Sequence, residues 1–146
     1  MMPTHLWTIL CEKAPVNRDT GNVSLIEVVE DVVVEVDKAQ DLTAPLASPI
    51  LLPVSWALVS TFERVNWAQA EKTGAKFLII TPSGNKIGEG SIEIDLSQHI
   101  RVHHIVSFNG FLIVEPGANY FQIEVENSAG TFVDVGRLPL NVVFKK

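Results

Sequence analysis

Apolar and polar residues alternate along much of this chain. In "NYFQIEVEN", Phe121, Ile123 and Val125 alternate with Tyr120, Gln122, Glu124 and Glu126. A period of two buries one face of a strand and wets the other. "SIEIDL" repeats the pattern, with Ile92, Ile94 and Leu96 inward. "EDVVVEVD" does the same with Val32, Val34 and Val36. A helix would need apolar residues three and four apart, and its interior disfavours so many Val and Ile residues. Between these runs lie turn-forming stretches: "NRDTGN" (17–22), "KTG" (72–74), "PSGN" (82–85), "NG" (109–110), "EPGAN" (115–119) and "NSAG" (127–130). The pattern predicts about eight strands, near 5–13, 23–36, 54–65, 75–81, 87–96, 99–108, 119–126 and 131–144.

Two segments break the alternation. Residues 64–74, "RVNWAQAEKTG", read either as one short helix or as a long hairpin tip. Residues 38–53 carry Pro45, Pro49 and Pro53 at four-residue spacing. Proline fixes φ and removes a ladder donor, so this stretch reads as an extended connection, and its Leu and Ile residues pack it on the body. Short strands, Gly/Asn/Pro turns and no helical period predict an all-β fold, an antiparallel β-sandwich of Ig-like or jelly-roll-like Greek-key type. At 146 residues the chain fits one domain, 1–146, and its 47% hydrophobic content supplies a core without disulfide staples.

The segments "LWTILCEK", "GNVSLIEVVEDV", "LPVSWALVSTFER", "TPSG", "EPGANYFQIEVENSAG" and "VGRLPLNVVF" together resemble a group of small bacterial proteins known only as a domain of unknown function. The resemblance spans nearly the whole chain. It implies an all-β fold, and it brings no catalytic or binding residues with it.

Charge narrows the partners. A net charge of −6, with Lys145-Lys146 the only tandem basic pair, leaves no Lys/Arg stripe to track phosphates, so no nucleic-acid partner is expected. Cys11 is the single cysteine, so no intrachain disulfide forms. The apolar run from Leu6 to Cys11 is shorter than a signal-peptide core and far short of a bilayer span. The expectation is a cytoplasmic protein with no membrane partner.

The most chemical-looking stretch is "HIRVHHIV" (99–106), with three of the four histidines. On a strand, His99, Arg101 and His103 share one face, and His104 joins Ile100, Val102, Val106 and Phe108 on the other. His99 and His103 then lie roughly 13 Å apart, too far to share one metal ion. A two-histidine site built from His5 and one member of the cluster stays open as an alternative. No G-x-S-x-G elbow, phosphate loop or dinucleotide fingerprint is present, and Cys11 lies in an apolar strand where thiols are inert. Glu27, Glu30, Asp31, Glu35, Asp37 and Asp41 cluster in sequence, but strand alternation spreads them, so a calcium site at Asp37 and Asp41 is the lesser reading and a solvated face the better one. Trp7, Trp56, Trp67, Phe62 and Tyr120 are groove candidates, with buried aromatic mass the commoner role.

No set of residues converges on a reaction, and no cofactor is implied. The sequence therefore points to a non-catalytic binding, structural or assembly module that engages a protein partner or itself. Trp67, in the most polar part of the chain, and the hairpin at Asn127 and Ser128 are the expected contact surface. The rival reading is a small-ligand or metal-binding protein, or a metal-assisted enzyme, using His5, His99 or His103.

Overall fold

In a computed structural model that describes residues 2–146, nine strands form two sheets packed face to face. The first sheet runs in the order β2 (Ile26–Val28), β1 (Thr4–Lys13), β4 (Ile50–Glu63), β7 (Arg101–Ile113). The second runs β3 (Asp31–Glu35), β9 (Phe132–Lys145), β8 (Gly117–Glu126), β5 (Glu71–Ile80), β6 (Lys86–Leu96). The expected β-sandwich is what forms. Its strands differ from the sequence reading at several places, among them the start of β8, which takes in Gly117–Asn119 of the expected turn at 115–119.

The predicted strand at 23–36 divides. Residues 26–28 pair with β1 in one sheet, and residues 31–35 pair with β9 in the other. Val29 and Glu30 make the step between sheets: the Val29 amide donates to Leu10 O, and Glu30 O accepts from the Asn141 amide. The chain bends at Glu27, whose φ of 55° is unusual for a residue with a side chain. Because β3 arrives from the opposite sheet, it runs parallel to β9, the one parallel pair among antiparallel neighbours.

Pro53, expected in a connection, lies inside β4, where a register shift between Leu52 and Ser55 excuses its missing N–H. "KTG" belongs to β5, and "NG" is a kink within β7. Gly110 takes φ 101°, which resets the strand so that Phe111 and Ile113 continue the buried face after Phe108. Residues 64–70 form a turn with no helix.

The core follows the period-two pattern closely. Ile92, Ile94 and Leu96, and Phe121, Ile123 and Val125, all face inward and are buried. Aromatic rings join the sheets: Phe77 meets Phe108 edge-on at 5.5 Å between centroids, and Phe121 touches both Phe108 and Phe111. Strand β4 is the exception to alternation, since residues 56–62 are all buried. Trp56, Leu58 and Phe62 face the sandwich core. Ala57 and Val59 face outward, where they pack with Cys11 under Trp7, Ala14, Leu25 and Ile105. The loop from Ala14 to Leu25, closed by a Val16–Val23 bridge, thus covers the back of the first sheet.

Close packing at Gly90 yields a stability prediction. Gly90 pairs with Phe77, and a Cβ on Gly90 would strike the Phe77 ring. Phe77 is buried against Phe108 and has nowhere to retreat. Gly90→Ala is expected to destabilise the fold by about 1–3 kcal/mol, the usual cost of overpacking. Adding Phe77→Leu should recover part of that loss. Urea unfolding of both variants measures it, and an undiminished Gly90→Ala midpoint would contradict the packing.

Candidate functional site

The first sheet sorts the histidines by face. Strand β4 pairs Phe62 with His5 and Val102, Thr61 with Trp7 and His103, and Ser60 with Thr8 and His104. Phe62 points into the sandwich, so His5, Ser60, Thr8 and His104 share the inner face, whereas Thr61, Trp7 and His103 share the outer one. His5 and His103 therefore project from opposite faces of one sheet and do not form a two-histidine site. His99 sits in the turn before β7. His104 faces the core side with Val102, Val106 and Phe108, as its place in the alternation predicts.

Inside the sandwich a short polar chain crosses β1 and β4. His5 Nε2 is 2.7 Å from Thr8 Oγ1, which lies 2.8 Å from Ser60 Oγ. The His5 ring packs against Phe62 and reaches over Gly136 of β9, where a Cβ would stand 2.9 Å from His5 Cε1. His104 Nδ1 is buried with no hydrogen-bond partner. Burial pushes the pKa of His5 and of His104 below the ordinary value, the former partly offset by hydrogen bonding to the backbone of Val135 and Trp7. On the outer face, His103 Nδ1 pairs with Thr61 Oγ1 at 2.7 Å, and its ring stacks on Trp7. Burial, then the Arg101 charge, lowers its pKa as well. The hydroxyls bonded to the His5 and His103 rings, Thr8 Oγ1 and Thr61 Oγ1, lie on opposite faces of the sheet, one bonded onward to Ser60 and the other beneath the Trp7–His103 pair.

The other candidates disperse. Cys11 is buried, its Sγ–H directed at the Lys13 and Ala57 carbonyls, and burial pushes the thiol pKa up. Asp41 is occupied by the amide and hydroxyl of Thr43, and Asp37 by the Lys38 amide. Among the described residues no group of three or more His, Cys, Asp or Glu side chains could hold a metal ion. Trp56 and Phe62 are core residues, and Tyr120 lies under the Arg137 guanidinium.

Trp67 is different. It is 60% exposed in the connection from β4 to β5, where Val65 is 50% exposed as well. Its ring is nonetheless fixed. Trp67 Nε1–H donates to Glu63 Oε1 at 2.8 Å, while Arg101 Nη2 donates to Glu63 Oε2 at 2.8 Å. The Arg101 hydrogen bond, reinforced by that of Trp67, holds the Glu63 carboxyl below its usual pKa. Arg64 clamps the loop from the other side, donating to Leu96 O, Trp67 O and Ser97 O.

The hairpin at Asn127 and Ser128 lies at this same end, because Thr73 Oγ1 near the start of β5 donates to Glu126 O. Asn127 itself is used up in its turn: Oδ1 accepts from the amides of Ala129 and Thr131. Beside it a shallow groove of about 830 Å³ runs over Gly74, walled by Lys72, Glu93, Glu126 and Ser128. The sequence singled out Trp67 by its polar surroundings. It did not reveal Glu63, Arg64 or Arg101, whose roles depend on the pairing of Glu63 with Arg101 across β4 and β7.

The histidines set a pH dependence. His5, His103 and His104 all have folded pKa values below that of the unfolded chain, about 6.5. Above that value their contribution is intact. Below it the unfolded chain takes up protons that the fold resists, so stability falls as pH drops toward the lowered folded values. Urea unfolding at about pH 7.5 and 5.5 should show the loss, in the window set by a reference pKa of about 6.5. His104→Leu should shrink it without cost at the higher pH, since the buried Nδ1 makes no bond there to lose. Stability that is flat or rising on acidification would contradict the placement of these rings.

No protein-family model matches the chain, and no curated protein matches it at a significant level.

Proposed function

We propose that this chain is a non-catalytic β-sandwich that serves as a protein-binding or assembly module, with the Trp67 end as its contact surface. The observation that carries the reading is the bracket on Trp67: an exposed indole held by Glu63, which Arg101 holds in turn. Large exposed aromatics that are already ordered lose little side-chain entropy on binding, and Trp and Arg dominate interface hot spots. Val65 in the same loop is also an exposed apolar residue, and the polar hairpin at Asn127 and Ser128 lies at the same end of the sandwich. The partner expected at such a patch is a folded protein surface with an apolar pocket that receives the indole.

The histidine-based alternative loses its His5–His103 pair, because those residues lie on opposite faces of one sheet. A cytoplasmic setting goes with the proposal, since the single thiol, Cys11, is buried and used as a packing group. No helix among the described residues is long and apolar enough to cross a membrane.

Capture from the source cells, identification of the bound protein and titration calorimetry with that protein purified would test the proposal. Trp67→Ala should weaken binding about thirtyfold, equivalent to the ~2 kcal/mol of a hot spot, with the unfolding midpoint unchanged. Ser128→Arg at the rim should have a smaller effect. A partner that binds Trp67→Ala as tightly as the wild type would overturn the reading.

A further inference from the structure

Four strands end the two sheets, and they are unequal. Strands β2 and β3 are 3 and 5 residues long, too short to template much pairing. Strand β6 has 11 residues but exposes Lys86, Glu89, Glu93 and Asp95, the charged guards expected of an edge. Strand β7 has 13 residues, and beyond Arg101 it carries no Asp, Glu, Lys, Arg or Pro as far as Ile113. Its inward-facing Val102, Val106 and Phe108 are only half-buried along that open side. The longest edge is the least defended.

The hydrogen-bond phase of β7 can be read from one bond. The Arg64 amide donates to Ile100 O, and these residues stand directly opposite in the register that continues without shift from Glu63–Arg101 to Ser55–Asn109. In an antiparallel pair, bonded and non-bonded positions alternate. Val102, His104, Val106 and Phe108 therefore bond to β4. Arg101, His103, Ile105, Ser107 and Asn109 aim their N–H and C=O groups off the edge of the sheet.

We propose that β7 pairs antiparallel with β7 of a second copy of this chain, about a two-fold axis at Ile105. That register sets Ile105 against the partner's Ile105, His103 against the partner's Ser107, and Arg101 against the partner's Asn109. All five outward-facing residues are then paired, with about ten new ladder hydrogen bonds. Shifting the axis by one residue either way leaves part of the set unpaired. On the inner face Val102 meets the partner's Phe108 and His104 the partner's Val106, so each half-buried side chain finds a neighbour. The two sheets of four become one of eight, and the interface is isologous.

The register is self-complementary, which argues for a second copy as the occupant, and charge selects β7 as the edge where it docks. The chain carries −6, so two copies meet most readily where neither presents a carboxylate, and β7 has none. Pairing β6 with itself would oppose Glu and Asp to one another. In the β7 register the one charged residue, Arg101, faces an amide. The seam ends at Arg101, which also braces Glu63 beside Trp67, so it meets the Trp67 surface at that one residue and uses the β7 backbone beyond it.

Analytical ultracentrifugation of the full chain over a wide concentration range tests it. The wild type should form a dimer, and Ser107→Pro should raise the dimer dissociation constant at least tenfold. Pro removes an N–H that points outward, so the ladder to β4 survives, and circular dichroism checks the fold. Should that variant fail to fold, oxidative cross-linking decides. Ile105→Cys should link to its own copy, whereas Ser107→Cys, roughly 13 Å from its twin at four strand rises, should not. A monomeric wild type, including one whose β7 is covered by some other protein's strand, overturns the proposal. So does a dimer indifferent to Ser107→Pro in the folded protein, or cross-linking that fails at Ile105→Cys or occurs equally at both positions.

Discussion

Everything distinctive about this sandwich depends on strand β4 being gripped on both edges and both faces. Strands β1 and β7 flank it, and residues 56–62 are buried without interruption. Trp56, Leu58 and Phe62 anchor the core between the sheets, while Ala57 and Val59 anchor a second, smaller cluster beneath the loop from Ala14 to Leu25. A slip of one residue would exchange these two sets of side chains. The register is therefore fixed by packing, and what lies on β1 and β7 is fixed with it. That one constraint separates His5 from His103, brings Glu63 beside Arg101, and sets which backbone groups of β7 face solvent.

Where each face of a strand had a distinct environment, its pattern was readable from the residues. The alternations at Ile92, Ile94 and Leu96 and at Phe121, Ile123 and Val125 correspond one for one to buried positions. The assignment of His104 to the core side followed from the same rule. Where the chain changes sheets, the period carries no signal: Val29 and Glu30 look like the middle of a strand, yet they divide β2 from β3. Proline and Asn-Gly misled for a related reason. Both mark a local departure from regular pairing, and a register shift within β4 or a kink within β7 satisfies them as well as a loop does. The candidate site was half legible. Trp67 stood out as an aromatic among polar residues, but its bracket joins positions 38 residues apart in sequence, a contact that only the β4–β7 pairing creates.

The polar chain of His5, Thr8 and Ser60 runs from the half-buried edge of the inner face to the fully buried Ser60. His5 and Thr8 satisfy one another, and Ser60 completes the line, so these buried groups remain bonded. His104, one strand further along the same face, does not share in it. An unpaired imidazole near an open sheet edge weakens the fold locally, in keeping with β7 being the less protected side of the sandwich. The guarded edge of β6 and the bare edge of β7 lie on the same side of the molecule, and the contrast in their charges is the sharpest asymmetry the fold presents.

Amide-resolved hydrogen exchange at low protein concentration tests the register most directly. The amides of residues 56–62 in β4 should be among the slowest to exchange. Along β7, protection should alternate, with Val102, His104, Val106 and Phe108 slow and His103, Ile105, Ser107 and Asn109 fast. Uniform protection along β7 under those conditions, or alternation in the opposite phase, would contradict the account.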